Sequence, residues 1–534
     1  MQAELIGKRL NRLVPLEVDP KIRPRVLMGG IATLEILIAF TIFILCISAV
    51  IIVNFGNQSI AIDSQIKNEA ITKAQEMLEK ARADSRFDFN LVNSSTTTET
   101  NNSLVFIKNL NVVTSDTDPT LDLWTKRVTS KVTWQTAGRT LDTIFSTLLT
   151  NKEAVSGGDT CSSVLTGDWT NPEITSYEFG KDVLNDTSSD FPIKAIQTFD
   201  QKMYIAVNNV AGNNDETFFI LDITDPILTL SDVLGKLDNS PGTISEGINA
   251  LAVDGKQYVY VANAYDSSPS TCVENHNCAQ LQVIDVSNPN NPFIARNFKI
   301  SSFTSGNKLV NGNSLFYKDG IVYLGLANAT NGKEFFIIDV GGSGVGTPTN
   351  PVILSNIEIG NGINSIFVRN NYAYIISPNT QELKIFNITD LSNPSPAGNF
   401  NASSGSGNGK SIILVGNKLY LGKTVPNAGN DFHILNNSNP NIILPEIGGI
   451  NSSSSINGII IKDFLTFFIT SNGQFQTWNI SNPNNISQYA TPLILPPGSG
   501  VGLQGTATDC EKNYIYVGSK NSDNKGYISV ITSN

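Results

Sequence analysis

The sequence predicts a multidomain chain: a long N-terminal α-helix, half of it membrane-type, with a small antiparallel β-sheet, followed by a large all-β domain. Three observations predict it. Residues 31–53 (IATLEILIAFTIFILCISAVIIV) are apolar apart from Glu35; apolar residues then recur at three- and four-residue spacing as far as Ala81; and beyond residue 160 short strands repeat around a strand–Asp/Asn–Pro signature.

The first run is long enough to cross a bilayer, which takes about 20 apolar residues. Residues 1–30 precede it as a leader with six basic residues (Lys8, Arg9, Arg12, Lys21, Arg23, Arg25) against three acidic ones. The excess of positive charge predicts a cytoplasmic leader and places everything after Asn54 outside. A secretory signal would have a shorter apolar core with its small residues after that core, whereas here Gly29 and Gly30 come before it. A carboxylate in hydrocarbon is costly, so Glu35 is a candidate functional residue.

Gly30, Ile31 and then Glu35 opening a long apolar helix resemble the prepilin signal of type IV pilins and pseudopilins, although many of that family begin the mature chain with Phe rather than Ile. The resemblance implies cleavage between Gly30 and Ile31 by a prepilin peptidase and N-methylation of Ile31. It implies too that Glu35 assembles the filament by pairing with the terminal amine of a neighbouring pilin subunit. The simpler alternative is an uncleaved single-pass anchor.

The helix is expected to continue out of the membrane, because Ile62, Ile66, Ala70, Ile71, Ala74, Met77, Leu78 and Ala81 form one apolar face and no Pro or Gly interrupts residues 57–87. Strands are expected at 104–107 and 128–134, and at 141–149 after a turn around residues 135–138. The second pair resembles the hairpin of minor pilins and pseudopilins. Residues 31–55 are therefore read as the membrane half of a pilin helix, and 56–150 as its amphipathic half plus the pilin sheet.

A chain of 534 residues needs a further domain. Residues 151–160 (NKEAVSGGDT) read as a linker, and 161–534 as repeats. The signature recurs as ILDITDP (Pro226), VIDVSNP (Pro289), IFNITDLSNP (Pro394) and TWNISNP (Pro483), with looser copies at Pro351 and Pro440. Paired strands such as GINALAVDGKQYVYVANA precede it. Openings near Ile193, Gly247, Gly312, Gly362, Gly407, Ile456 and Gly500 make seven units of three or four strands, the period of propeller blades. The last unit ends after its third strand, and WTNPEITSYEFG (169–180) supplies an outer strand with no blade before it. A seven-bladed β-propeller closed by an N-terminal outer strand is the expectation. The wording of the repeat is similar to that of LVIVD-repeat propellers.

Cys161 precedes the closing strand and Cys510 lies at the first turn of the seventh blade, so both fall on one face and a disulfide is expected. Cys272 and Cys278 share one loop (TCVENHNCA) and form a second candidate pair; a metal site there with Glu274 and His276 is disfavoured, since four ligands rarely come from one short loop. Cys46 reads as a small apolar residue.

Catalytic motifs are missing from the sequence: its two histidines, His276 and His433, lie on different units, and it has no nucleophile elbow, HExxH or P-loop. Asp116 with Asp118, and Asp523 near Asn521 and Asn524, read as solvated turns. No metal or cofactor is expected. Removing a leader of net +3 from a chain of net −11 leaves −14, which argues against nucleic acid as a partner.

Together these readings describe a pilin-like subunit, inserted in the inner membrane before assembly, that displays a propeller on the pilus or cell surface for adhesion or partner recognition. The surface ligand is expected on the distal face, which carries the variable loops 208–217, 264–279, 327–333, 423–431 and 519–525. A propeller of this size has a radius of gyration of about 21 Å, which favours a minor or tip position over one on every subunit. The alternatives are a membrane-retained pseudopilin-like envelope module and a surface-tethered hydrolase or lyase.

Overall fold

The computed structural model describes residues 31–87, 89, 92–101, 104–114, 125–136, 138–150, 165–187, 190–208, 216–239, 247–264, 279–300, 304–305, 308–329, 332–378, 381–402, 408–426, 429–495 and 504–534.

Helix α1 (Ile31–Phe87) runs unbroken through both apolar segments. Its outer half lies on a four-stranded antiparallel sheet, β1 (Ser95–Asn101), β2 (Leu104–Val113), β3 (Thr125–Thr136) and β4 (Arg139–Thr150), in sequence order. Ala70, Ala74, Leu78 and Ala81 are buried against Phe106, Val128, Val132, Trp134 and Leu149. Small side chains at four-residue spacing let the backbone of the helix approach the sheet. The β3–β4 turn falls where the sequence places it, with Gly138 at φ 76°. β1 was not expected: its sequence STTTETN is polar on both faces. Glu99 anchors it, meeting Lys73 of α1 at 2.5 Å and Lys108 of β2 at 2.7 Å.

From residue 173 onward, among the described residues, strands form seven successive antiparallel sheets of four or five strands, a β-propeller arrangement, with a two-stranded ribbon, Thr304–Ser305 and Lys308–Leu309, between the second and third. Six are made in order from segments within 193–237, 248–298, 312–357, 365–400, 409–450 and 456–494; the seventh joins Gln504–Glu511, Tyr514–Lys520 and Gly526–Thr532 to β5 (Glu173–Glu178). The innermost strands adjoin in sequence order, and Gln504–Glu511 packs back against Ile193–Phe199. Apolar clusters lie between neighbouring sheets. One joins Tyr204 and Phe218 to Leu251 and Val261, and another joins Tyr516, Ile528 and Val530 to Met203 and Phe219. In the sixth sheet the outer strand is broken into Ser487–Gln488 and Leu493–Ile494, both paired with Gln474–Asn479, because Pro492 between them has no N–H to offer the ladder.

The recurring signature is a pair of Asx turns. Oδ1 of Asp222, Asp285, Asn387, Asn436 and Asn479, each at or just after the end of a third strand, accepts the N–H two residues on, and Asp225, Asn288, Asp390, Asn439 and Asn482 repeat the bond three residues later. The residue after the first Asx is buried and donates its N–H to the turn between the first two strands of its own sheet, as Ile223 does to Gln201 and Val286 to Gln257. The looser copy before Pro351 is organised by one residue instead: Asp339 accepts N–H bonds from Gly341, Gly342, Ser343, Val345 and Gly346. Burial would raise its pKa, but these bonds prevail and hold it far below the usual carboxylate range.

At the seam, β5 pairs with Gly526–Thr532 from Glu173↔Thr532 to Glu178↔Tyr527. Asp168 and Asn534 exchange backbone bonds of 2.9 and 3.1 Å, and Asp168 makes the first Asx turn for the last sheet through Thr170. Trp169 then takes the place that Ile223 and Val286 hold elsewhere, 2% exposed with its ring 4.8 Å from that of Phe467. Phe179, just past β5, meets Phe219 and Phe191 edge-on.

Two outcomes follow from this packing. Trp169→Ala is expected to destabilise the repeat domain by about 3–5 kcal/mol, and Trp169→Phe by far less, read from denaturant midpoints. In the helix–sheet unit, the hydrogen bond from Lys108 and then that from Lys73 hold Glu99 down to about 2 from an ordinary 4.5. A depressed folded value means that the contribution is complete above about pH 4.5 and is lost as pH falls through about 2. Acid titration of helix–sheet unfolding should therefore lose this component in Glu99→Gln.

Candidate functional site

Two regions carry the sequence-derived candidates. In the first, Ile31 heads α1, Gly30 lies outside the described residues, and Glu35 is exposed with no partner among the described residues. Residues 35–54 form a span long and apolar enough to cross a membrane, none of it buried in the rest of the protein. Phe40, Phe43, Leu45 and Ile52 are each about 60–70% exposed. Such a surface fits a membrane anchor or a signal sequence.

The second region is the inner ring of the repeat domain. Most inner strands carry a bulge at their second or third residue: the register shifts at Lys194, Asn249, Asn313, Lys410, Asn457 and Thr506. Where the bulged residue is asparagine, its Nδ2 donates to the carbonyl of the residue just before the equivalent position on the next inner strand. Asn249 bonds Gly312 O at 2.8 Å, while Asn313 to Ile363 O, Asn457 to Gly505 O and the equivalent Asn364 to Gly409 O are each 2.7 Å. Lys194 and Lys410 occupy this position on two strands, and neither ammonium has a hydrogen-bond or ion-pair partner among the described residues. Burial lowers the pKa of Lys194, and the charges of Lys520 and Lys410 lower it further. At the other end of the ring, Gln197, Val253, Tyr317 and Asp509 line a cavity of about 210 Å³.

The lysine end is the end from which the variable loops spring. Loops 208–217, 264–279, 327–333 and 423–431 are each described only in part, and 519–525 is described throughout. In 519–525 Asn521 accepts the N–H groups of Asp523 and Lys525, a self-contained turn. Just before several third strands a polar side chain ties down the backbone connecting to the next sheet: Glu334 accepts from Ile359 N, Glu382 from Ala402 N and Asp431 from Ser452 N. Lys423 crosses between sheets to Glu382 at 2.6 Å, both fully or almost fully buried. His433 is structural as well, held by Glu446 at 2.9 Å and by Asn430 O at 3.1 Å.

Of the cysteines, Cys510 is 1% exposed and disulfide-bonded. Cys161, Cys272 and Cys278 lie outside the described residues, as do Glu274, His276, Asp116 and Asp118. The sequence reading missed the bulge lysines. The signal was present in the openings IKAI, INAL, GNSL, INSI, GKSI and INGI, where lysine and asparagine alternate at one position.

No protein-family model matches the chain, and no curated protein matches it. Among solved structures it is similar to a chain from a crystal structure of the mitotic checkpoint complex, with 9% identity and a TM-score of 0.45, covering 70% of this chain and 98% of that one. It is also similar to Raptor from Chaetomium thermophilum, with 10% identity and a TM-score of 0.45, covering 64% of this chain and 28% of Raptor.

Removing Lys423 strands a buried carboxylate. Lys423→Met is expected to cost about 3–5 kcal/mol, and adding Glu382→Gln should recover much of it, measured by thermal unfolding of the single and double variants.

Proposed function

We propose that this protein is a type IV pilin-like subunit, minor or at the tip, that holds a seven-bladed β-propeller at the cell surface for adhesion or partner recognition. The observation that carries the reading is α1. Its first half is apolar with Glu35 as its one charged side chain, its second half covers a small antiparallel sheet, and in the sequence the apolar run follows Gly29 and Gly30. A soluble protein has no use for an uncovered apolar helix of this length. A simple anchor has no use for a carboxylate one turn into it, whereas a helix bundle gives that carboxylate an amine to meet.

In this reading the prepilin peptidase cuts between Gly30 and Ile31, Ile31 is N-methylated, and Glu35 pairs with the terminal amine of a neighbouring subunit. The chain passes through the inner membrane and ends outside the cell. The seventh blade is completed by β5, Cys161 pairs with Cys510 to lock that seam, Cys272 pairs with Cys278, and the loop-bearing face meets the ligand.

Mass spectrometry of the N-terminal peptide from sheared surface filaments tests the proposal. A methylated Ile31 terminus is the expected result, with Glu35→Val processed but missing from the sheared fraction; an intact Met1 leader confined to the membrane overturns it.

A further inference from the structure

We propose that the loop-side mouth of the propeller channel is an oxyanion site, with Lys194 and Lys410 holding a carboxylate or phosphate group of the surface ligand between them. The inference rests on the closed ring of the proposed function and is independent of filament assembly.

The positions make the argument. On four inner strands the bulged or equivalent residue is asparagine, and each amide is spent on the wall, donating to the residue that precedes the same position on the next strand. By that rule Lys194 faces Ile248 O and Lys410 faces Ile456 O, and Ser411 Oγ already donates to Ile456 O at 3.0 Å. Asparagine at either position would continue the ladder, as Asn313 and Ser314 together bond Ile363 O. Lysine does not contribute to the wall in this way; its ammonium is carried past the carbonyl toward the channel.

The two lysines also face one another. Following the circuit of adjoining inner strands, Ile193–Phe199 and Gly409–Val415 are four steps apart in one direction and three in the other, close to opposite sides of the channel. Burial lowers the pKa of Lys194, and the positive charges of Lys520 and then of Lys410 lower it further. No carboxylate of the described residues pairs with either lysine, although the chain as a whole carries net charge −11. Two ammoniums on opposite parts of the ring, without a counter-ion among the described residues, repel, and an oxyanion between them takes one oxygen to each side and removes the repulsion. The amide oxygens of the surrounding Asn249, Asn313, Asn364 and Asn457 accept no hydrogen bond from the described residues, which suits them to hydroxyl groups next to the anion.

The test uses the full chain in detergent micelles, titrated calorimetrically with inorganic phosphate and with D-glucuronate at constant ionic strength in chloride. Saturable binding of at least one is expected, and which one binds tells a phosphate-bearing from a carboxylate-bearing ligand. Lys194→Asn and Lys410→Asn should each weaken it tenfold or more while leaving the thermal midpoint unchanged or raised, because asparagine rejoins the ladder. Lys194→Arg with Lys410→Arg should retain it. Binding of neither probe, or binding that survives the double asparagine variant, overturns the site. Hydrogen-exchange protection of the Asp168 and Asn534 amides reports ring closure separately, so a negative titration with those amides protected counts against the oxyanion site alone.

Discussion

The repeat domain depends on one pairing, that of β5 with Gly526–Thr532. Sheets stacked in series leave a first and a last surface uncovered, and open strand edges invite other chains. Joining residues about 350 apart also carries a loop-closure cost that must be met by local interactions. The residues at the seam reflect this. Asp168 and Asn534 bond each other through their backbones, Trp169 fills the slot that aliphatic residues fill elsewhere, and Phe179, Phe191 and Phe219 pack edge-on beneath. Gly526 lies so close to Phe191 that any β-carbon would strike its carbonyl oxygen at 1.9 Å. The disulfide of Cys510 lies at the same seam.

Away from the seam, a single turn is reused. The double Asx turn satisfies backbone donors that would otherwise be buried without partners, and its proline nests against a glycine in the outer strand of the preceding sheet. At Gly235 and Gly448 a β-carbon would lie 2.1 Å from the carbonyl oxygen of Pro289 and Pro483. On the opposite side, Glu334, Glu382 and Asp431 accept backbone N–H groups and tie down the connections to the next sheets. Lys194 and Lys410, by contrast, have no hydrogen-bond or ion-pair partner among the described residues.

The helix follows a different constraint. Between residues 35 and 54 it is long and apolar enough to cross a membrane and is uncovered by the rest of the protein, while from Ala70 to Ala81 its small residues serve its own sheet. Glu99 shows how the sheet acquires a strand of no apparent strand character: two lysines on different elements hold β1 through one carboxylate.

Much of this was legible in the sequence because periodicity and turn chemistry are local. The apolar run, the three- and four-residue spacing, the Asx–Pro turns and the orphan strand of residues 169–180 each report a conformation set within a few residues. The sequence by itself determined the kinds of element and their order. β1 escaped it, since its partners Lys73 and Lys108 are distant in sequence or on another strand. The pairing of Lys423 with Glu382 escaped it too, as did the alignment of Lys194 with Lys410, which lie 216 positions apart. Only the tertiary structure decided which polar side chains bond to the wall, because a side chain's partner depends on what the fold brings beside it.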